Sequence, residues 1–226
     1  MDDFGETLVG KKRPAVFIFN LLENTISEVL GIEAGIFAAF PIFDETNKGI
    51  IYSGIKSPVM KMGMNFCLNR DTKLYHIREP VFDKKNLPAE GGYVKCLNPT
   101  EFMAVTPKFS DDYSKLLYIG AKEKFISHSG NFEIRYLKWP PTDDVESVCV
   151  VGRRAGYPTA EDDFAGLYGY NQSLISTNFL GTQSRFAAFE SPFKAQHRVY
   201  LVDTDTKELK WFDFLNKKSL HGDYEL

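Results

Sequence analysis

The sequence predicts an all-β chain: a partial β-propeller of about three complete four-stranded blades plus half a blade. Three observations carry this. A segment recurs three times: Phe40-Pro41-Ile42-Phe43-Asp44-Glu45 running into Gly49-Ile50-Ile51-Tyr52-Ser53, Thr106-Pro107-Lys108-Phe109-Ser110-Asp111-Asp112 running into Lys115-Leu116-Leu117-Tyr118, and a worn copy, Asn178-Phe179-Leu180-Gly181-Thr182-Gln183 running into Arg185-Phe186-Ala187-Ala188-Phe189. Phe43 to Phe109 is 66 positions and Phe109 to Phe179 is 70, while Tyr75, Tyr136 and Tyr200 keep step at 61 and 64. No segment holds a 3.6-residue apolar period over three turns, and a repeat of this length marks an array of similar units.

In chain order, the leading hairpin covers 14–30. Ala15-Val16-Phe17-Ile18-Phe19 is an apolar strand, Asn24-Thr25 a turn, and Ile26-Ser27-Glu28-Val29-Leu30 returns with period-two alternation. Repeat units then fall at about 31–80, 98–140 and 172–215. Each opens with the recurrent strand, a polar turn such as Asp111-Asp112-Tyr113-Ser114, whose side chains can hydrogen-bond their own backbone, and a strand ending in an aromatic. Each closes with a hairpin whose first strand carries the periodic Tyr: Leu74-Tyr75-His76-Ile77, Ile134-Arg135-Tyr136-Leu137 and Val199-Tyr200-Leu201-Val202. The last of these turns through Asp203-Thr204-Asp205-Thr206 into Glu208-Leu209-Lys210-Trp211-Phe212, echoing the opening hairpin. Long loops are expected at 55–71, 81–99 and 140–171.

The phase of the repeat is itself informative. The chain opens and closes on a second-half hairpin, so residues 1–226 read as three units preceded by half of another. A propeller closes with about four to eight blades. The expectation is an open arc with uncovered apolar faces, forming part of a larger ring or pairing with a second copy or a partner.

Composition excludes several classes. The chain has 226 residues, 43% hydrophobic and 25% charged, which suffices for a sizeable core, and its 19 Phe and 11 Tyr favour β structure. A net charge of −3, with no long run of one sign, gives no field for nucleic acid or an anionic membrane, and Lys11-Lys12-Arg13 reads as a solvated turn. Cys67, Cys96 and Cys149 are three, widely spaced and without a C-x-x-C pair, so they read as reduced thiols. The acidic start Met1-Asp2-Asp3-Phe4-Gly5-Glu6 lacks an apolar signal region, and no stretch is long enough to span a bilayer. The expected location is cytoplasmic, where the Asn171-Gln172-Ser173 sequon has no role.

Ser127-His128-Ser129-Gly130 places a histidine beside hydroxyls, but a triad needs hydrogen-bond reach and an orienting carboxylate, and a loop histidine is the default. His76 alternates within a strand and is expected to face a neighbouring strand or solvent. His197 and His221 carry no motif. The pairs Asp111-Asp112, Asp143-Asp144 and Asp162-Asp163 lack calcium-loop flanks and read as turn residues. Gly152-Arg153-Arg154-Ala155-Gly156 could fork onto a peptide carboxylate or acyl oxygen, with a surface loop as the plain alternative. Cys67, flanked by Phe66 and Leu68, reads as a buried structural thiol. No G-x-G-x-x-G, P-loop or H-E-x-x-H occurs. The sequence therefore assigns no catalytic, cofactor-binding or metal residue, and no cofactor.

One resemblance runs from about Gly5 to Phe214. Val9-Gly10-Lys11-Lys12-x-Pro14, Gly54 leading to Gly63-Met64-Asn65-Phe66-Cys67-Leu68-Asn69-Arg70, and Leu180-Gly181-Thr182-Gln183-Ser184-Arg185 through Phe189-Glu190-Ser191-Pro192 resemble the β-propeller of the acylaminoacyl-peptidase family, in the prolyl oligopeptidase group of serine peptidases. Phe66-Cys67-x-Asn69-Arg70 is the more specific string; Pro-x-Phe-Ser-Asp-Asp identifies only the architecture. The resemblance implies a propeller lid over an α/β-hydrolase domain that releases N-acylated amino acids from short peptides. It implies gating and size selection by the propeller, with that hydrolase domain as partner. The chain has no G-x-S-x-G elbow and no alternating strands and helices around one, so the hydrolase domain is read as absent and the chain as inactive alone. A stand-alone interaction module without enzymatic activity is the alternative, and a homo-oligomer is admitted.

Overall fold

The computed structural model describes residues 10, 14–56, 70–88, 93–124, 130–142, 146–154, 164–168, 179–180, 184–193 and 196–211. Among these the chain is all-β, with a 3-10 turn at Lys84–Asn86. Two short strands, β1 (Phe17–Asn20) and β2 (Thr25–Glu28), form the leading hairpin. The strands β3 (Ile36–Phe43), β4 (Ile50–Lys56), β5 (Thr72–Ile77) and β6 (Val94–Cys96) make an antiparallel sheet in that order. A second sheet runs β7 (Met103–Phe109), β8 (Lys115–Ala121), β9 (Gly130–Lys138) and β10 (Val148–Val151), with β11 (Leu167–Tyr168) added on β9. The third is β12 (Phe179–Leu180), β13 (Phe186–Phe193), β14 (Gln196–Asp203) and β15 (Leu209–Trp211). Three blade-type sheets, each with a path of four strands and the second with β11 as a fifth, and a leading hairpin are the fold class the sequence predicts.

The chain divides into two compact units, residues 1–107 with 120–128, and 108–119 with 129–226. In the first unit, one face of the hairpin (Val16, Ile18, Val29) packs with Ile36, Ala38, Ile50, Tyr52, Tyr75 and Ile77. Side chains directly opposite across a ladder share a face, and the expected aromatic series uses this. Tyr52 lies opposite Tyr75 with rings stacked at 5.5 Å, and in the second unit Phe189 lies opposite Tyr200, stacked at 5.4 Å.

The repeat is also written in the backbone. Phe40 and Thr106, each before a proline, both take left-handed φ, +51° and +53°. In β3 this spot is a bulge between Ala39 and Ile42, so Pro41 interrupts the ladder where no N–H is required. The turns that follow share one design. Asp44 N–H bonds the Gly49 carbonyl, as Ser110 does Lys115, and Asn47 and Tyr113 are left-handed at the same step. The hairpin β1–β2 matches β14–β15 register for register at an offset of 183. Phe17↔Glu28 corresponds to Tyr200↔Trp211, Ile18↔Ser27 to Leu201↔Lys210, and Phe19↔Ile26 to Val202↔Leu209.

Two expectations need correction. The stretch 81–99, read as loop, contains β6, and 140–171 contains β10 and β11. These strands are only two to four residues long, too short to show alternation, and gain their identity from the neighbour they pair with. The proposed loop 55–71 starts two residues early, because β4 runs on through Ile55 and Lys56; residues 57–69 lie outside the described residues.

Candidate functional site

Of the sequence-stated candidates, Lys11-Lys12-Arg13, Cys67, Ser127-His128-Ser129, Asp143-Asp144, Asp162-Asp163 and His221 lie outside the described residues. Arg153 is exposed, and the backbone of Arg154 is clamped: Asn131 Oδ1 accepts from its N–H at 2.8 Å and Asn131 Nδ2 donates to its carbonyl at 2.7 Å. His197 is exposed on β14. Asp112 sits in the turn expected of it, accepting from Ser114 N–H at 3.0 Å, Ser114 Oγ at 2.8 Å and Ser110 Oγ at 2.7 Å. These bonds, the Ser114 N–H first, hold its carboxyl well below the usual aspartate range. Cys96 and Cys149 are free thiols, and burial pushes that of Cys96 up, away from reactivity.

The densest polar cluster of the first unit joins two residues that sequence reasoning kept apart. His76, on β5, is buried and not solvent-facing; its Nε2 lies 3.0 Å from Asp44 Oδ2, with both side chains under 10% exposed. Asp44 Oδ1 accepts from Thr46 N–H (3.0 Å), Thr46 Oγ1 (2.6 Å) and Gly49 N–H (3.1 Å). Burial pushes the Asp44 carboxyl up, but the hydrogen bonds from Thr46, His76 and Gly49 outweigh it and hold the pKa below its ordinary value. An ionised carboxylate only accepts, so Nε2 is the protonated ring nitrogen of His76. Gly49 fits because a Cβ there would overlap the Asp44 carboxylate and lie 2.9 Å from His76 Nε2.

Ser53 shares the sheet face of His76, since Ser53 pairs Leu74 and Ile51 pairs His76. The trio is nonetheless no nucleophile triad. Ser53 Oγ is buried with no hydrogen-bond partner, and Ser53, His76 and Asp44 are all buried, whereas a nucleophile must meet both its base and its substrate. The cluster pins the β3–β4 turn to β5. Its residue-level signal was present in the recurrent turn carboxylate, but the partner 32 positions away depends on strand register.

The second unit repeats the device. Asp203 Oδ2 takes the Arg185 Nε at 2.7 Å, and its Oδ1 accepts from Asp205 and Thr206 N–H at 2.9 and 3.1 Å. The Arg185 bond foremost holds its carboxyl low. Arg198 lies over Phe193 at 3.9 Å and over Trp211 at 4.1 Å, a cation between two aromatic faces. Among the described residues no group of three or more His, Cys, Asp or Glu could hold a metal ion, and no helix is long and apolar enough to cross a membrane.

The other outstanding feature is a surface. On the leading hairpin Phe17 is 59% exposed, Phe19 49%, Leu21 81%, Leu22 98% and Ile26 69%. Phe17, Phe19 and Ile26 share the face opposite Val16 and Ile18. The counterparts of Phe17 and Phe19 at the 183 offset are hidden, Tyr200 at 1% exposed and Val202 at 0%, while Leu209, the counterpart of Ile26, is half-buried. The same strand position is thus buried in one sheet and bare in the hairpin.

Comparisons with known proteins place this geometry. Residues 1–212 match the family described as acylamino-acid-releasing enzyme, N-terminal domain. The chain is similar to the acylamino-acid-releasing enzymes of Sus scrofa and Homo sapiens, each 22% identical over 203 residues, 90% of this chain and 25% of the relative. It is similar to acylamino-acid-releasing enzyme 1 of Oryza sativa subsp. japonica, 24% identical over 164 residues, 66% of this chain and 21% of the relative. It therefore spans about a quarter of the length of the curated relatives it matches. Among solved structures, a puromycin-hydrolyzing peptidase from Mycobacterium tuberculosis aligns over 87% of this chain and 28% of its own, with TM-score 0.48 and 11% identity.

Proposed function

Because the chain belongs to the family of acylamino-acid-releasing enzyme N-terminal domains, we propose that it is the non-catalytic propeller portion of a serine peptidase of that type. The whole enzyme would release N-acylated amino acids from short peptides. The portion present here would size-select substrates and support an α/β-hydrolase domain, its partner, in the cytoplasm. The observation that carries the reading is the family match over residues 1–212, joined to three antiparallel sheets that share a four-strand path.

The physics of the sheets suits a steric role. Their ladders satisfy the backbone internally, and their aromatic faces are close-packed, so they form stiff walls. A stiff wall can exclude a folded protein and pass an extended peptide without making any bond to it. The buried Asp44–His76 pair suits the same reading, since it braces a turn with side chains that are closed off from solvent.

The test has two arms. The chain alone, offered an N-acetyl-amino-acid anilide, is expected to give no turnover above buffer; turnover abolished by a serine-directed phosphonate would overturn the non-catalytic assignment. A family hydrolase domain, expressed separately, is then given a short and a long N-acetylated peptide with and without the chain. Selective suppression of the long peptide is the expected result. Equal effects on both would overturn the size-selecting role.

A further inference from the structure

We draw no further inference here: the strongest candidate, the bare apolar face of the leading hairpin β1–β2 at Phe17, Phe19 and Ile26, carries no proposal, because nothing in the structure shows what covers it.

Discussion

The Asp44 carboxylate organises a turn, a glycine and a histidine, and its removal has a calculable effect. Four donors converge on it: Thr46 N–H, Thr46 Oγ1, Gly49 N–H and His76 Nε2. A hydrogen bond to a charged group is worth about 1.5–3 kcal/mol net, and a buried donor left without its acceptor costs about 1–3 kcal/mol. Gly49 N–H and His76 Nε2 are the buried donors. Asp44→Ala strands both, and since such terms are not additive, a loss of about 3–5 kcal/mol is expected. Asp44→Asn keeps an oxygen for the turn but sets an amide against Nε2, which must switch tautomer to accept, and about 1–2 kcal/mol is expected.

The pH dependence has a definite sign. The folded pKa of Asp44 is lowered from 3.8. Its contribution is therefore present above the unfolded value and is lost as pH falls through the folded one. Urea unfolding followed by far-UV circular dichroism, with exchange of the Thr46 and Gly49 amides as the local reporter, measures both effects. Wild type should lose stability below about pH 4 faster than Asp44→Asn. An Asp44→Ala variant within about 0.5 kcal/mol of wild type, the range of ordinary surface changes, would refute the reasoning. Parallel acid profiles for wild type and Asp44→Asn would do the same.

Three further outcomes are expected. Phe189→Ala removes a fully buried ring that stacks on Tyr200 and meets Phe164 edge-on, and should cost about 3–5 kcal/mol. Trp139 and Trp211 both belong to the same unit as Phe189, so intrinsic fluorescence reports it. Gly49→Ala forces a Cβ into the Asp44 carboxylate and should both destabilise the chain and speed exchange at Thr46, where an unaltered exchange rate would count against the tight fit. Arg185→Gln should move the Asp203 carboxyl back towards its ordinary value in a carbon-detected NMR titration; because the depressed value contributes stability only above it, the variant should lose less than wild type on acidification.

The elements that were legible in the sequence are those whose signal is local. The turn read at Asn24-Thr25 holds a left-handed Asn24, although Thr25 already opens β2; the Asp203 turn is marked by a carboxylate that bonds its own backbone, and Tyr75, Tyr136 and Tyr200 keep an even step. Tyr52, Tyr118 and Phe189, read as ending their strands, lie inside β4, β8 and β13, which run on to Lys56, Ala121 and Phe193; Tyr52 and Phe189 each meet a ring directly across the ladder. β6, β10 and β11 escaped because a strand of two to four residues has no period of its own; β10 and β11 follow successive stretches of β9, at Ile134–Tyr136 and Gly130–Phe132. The Asp44–His76 pair escaped for a related reason. Ile51 must sit opposite His76 for the pair to form, and a one-residue slip would turn the histidine to the other face. The left-handed steps at Phe40 and Thr106 were half visible as X-Pro steps, but a positive φ at Phe or Thr runs against residue preference and belongs to the sheet that imposes it.

The strand order has a consequence for how the chain is made. Every ladder joins neighbours in sequence, with β11 on β9 the sole exception among the described strands. Each sheet is therefore complete as soon as its own last strand has been synthesised, and none waits for a distant partner. A β protein so wired avoids the slow search for remote strands that burdens other β topologies. It can settle sheet by sheet during translation, at the pace of the ribosome. On that schedule β1 and β2 are the first of the described strands to pair.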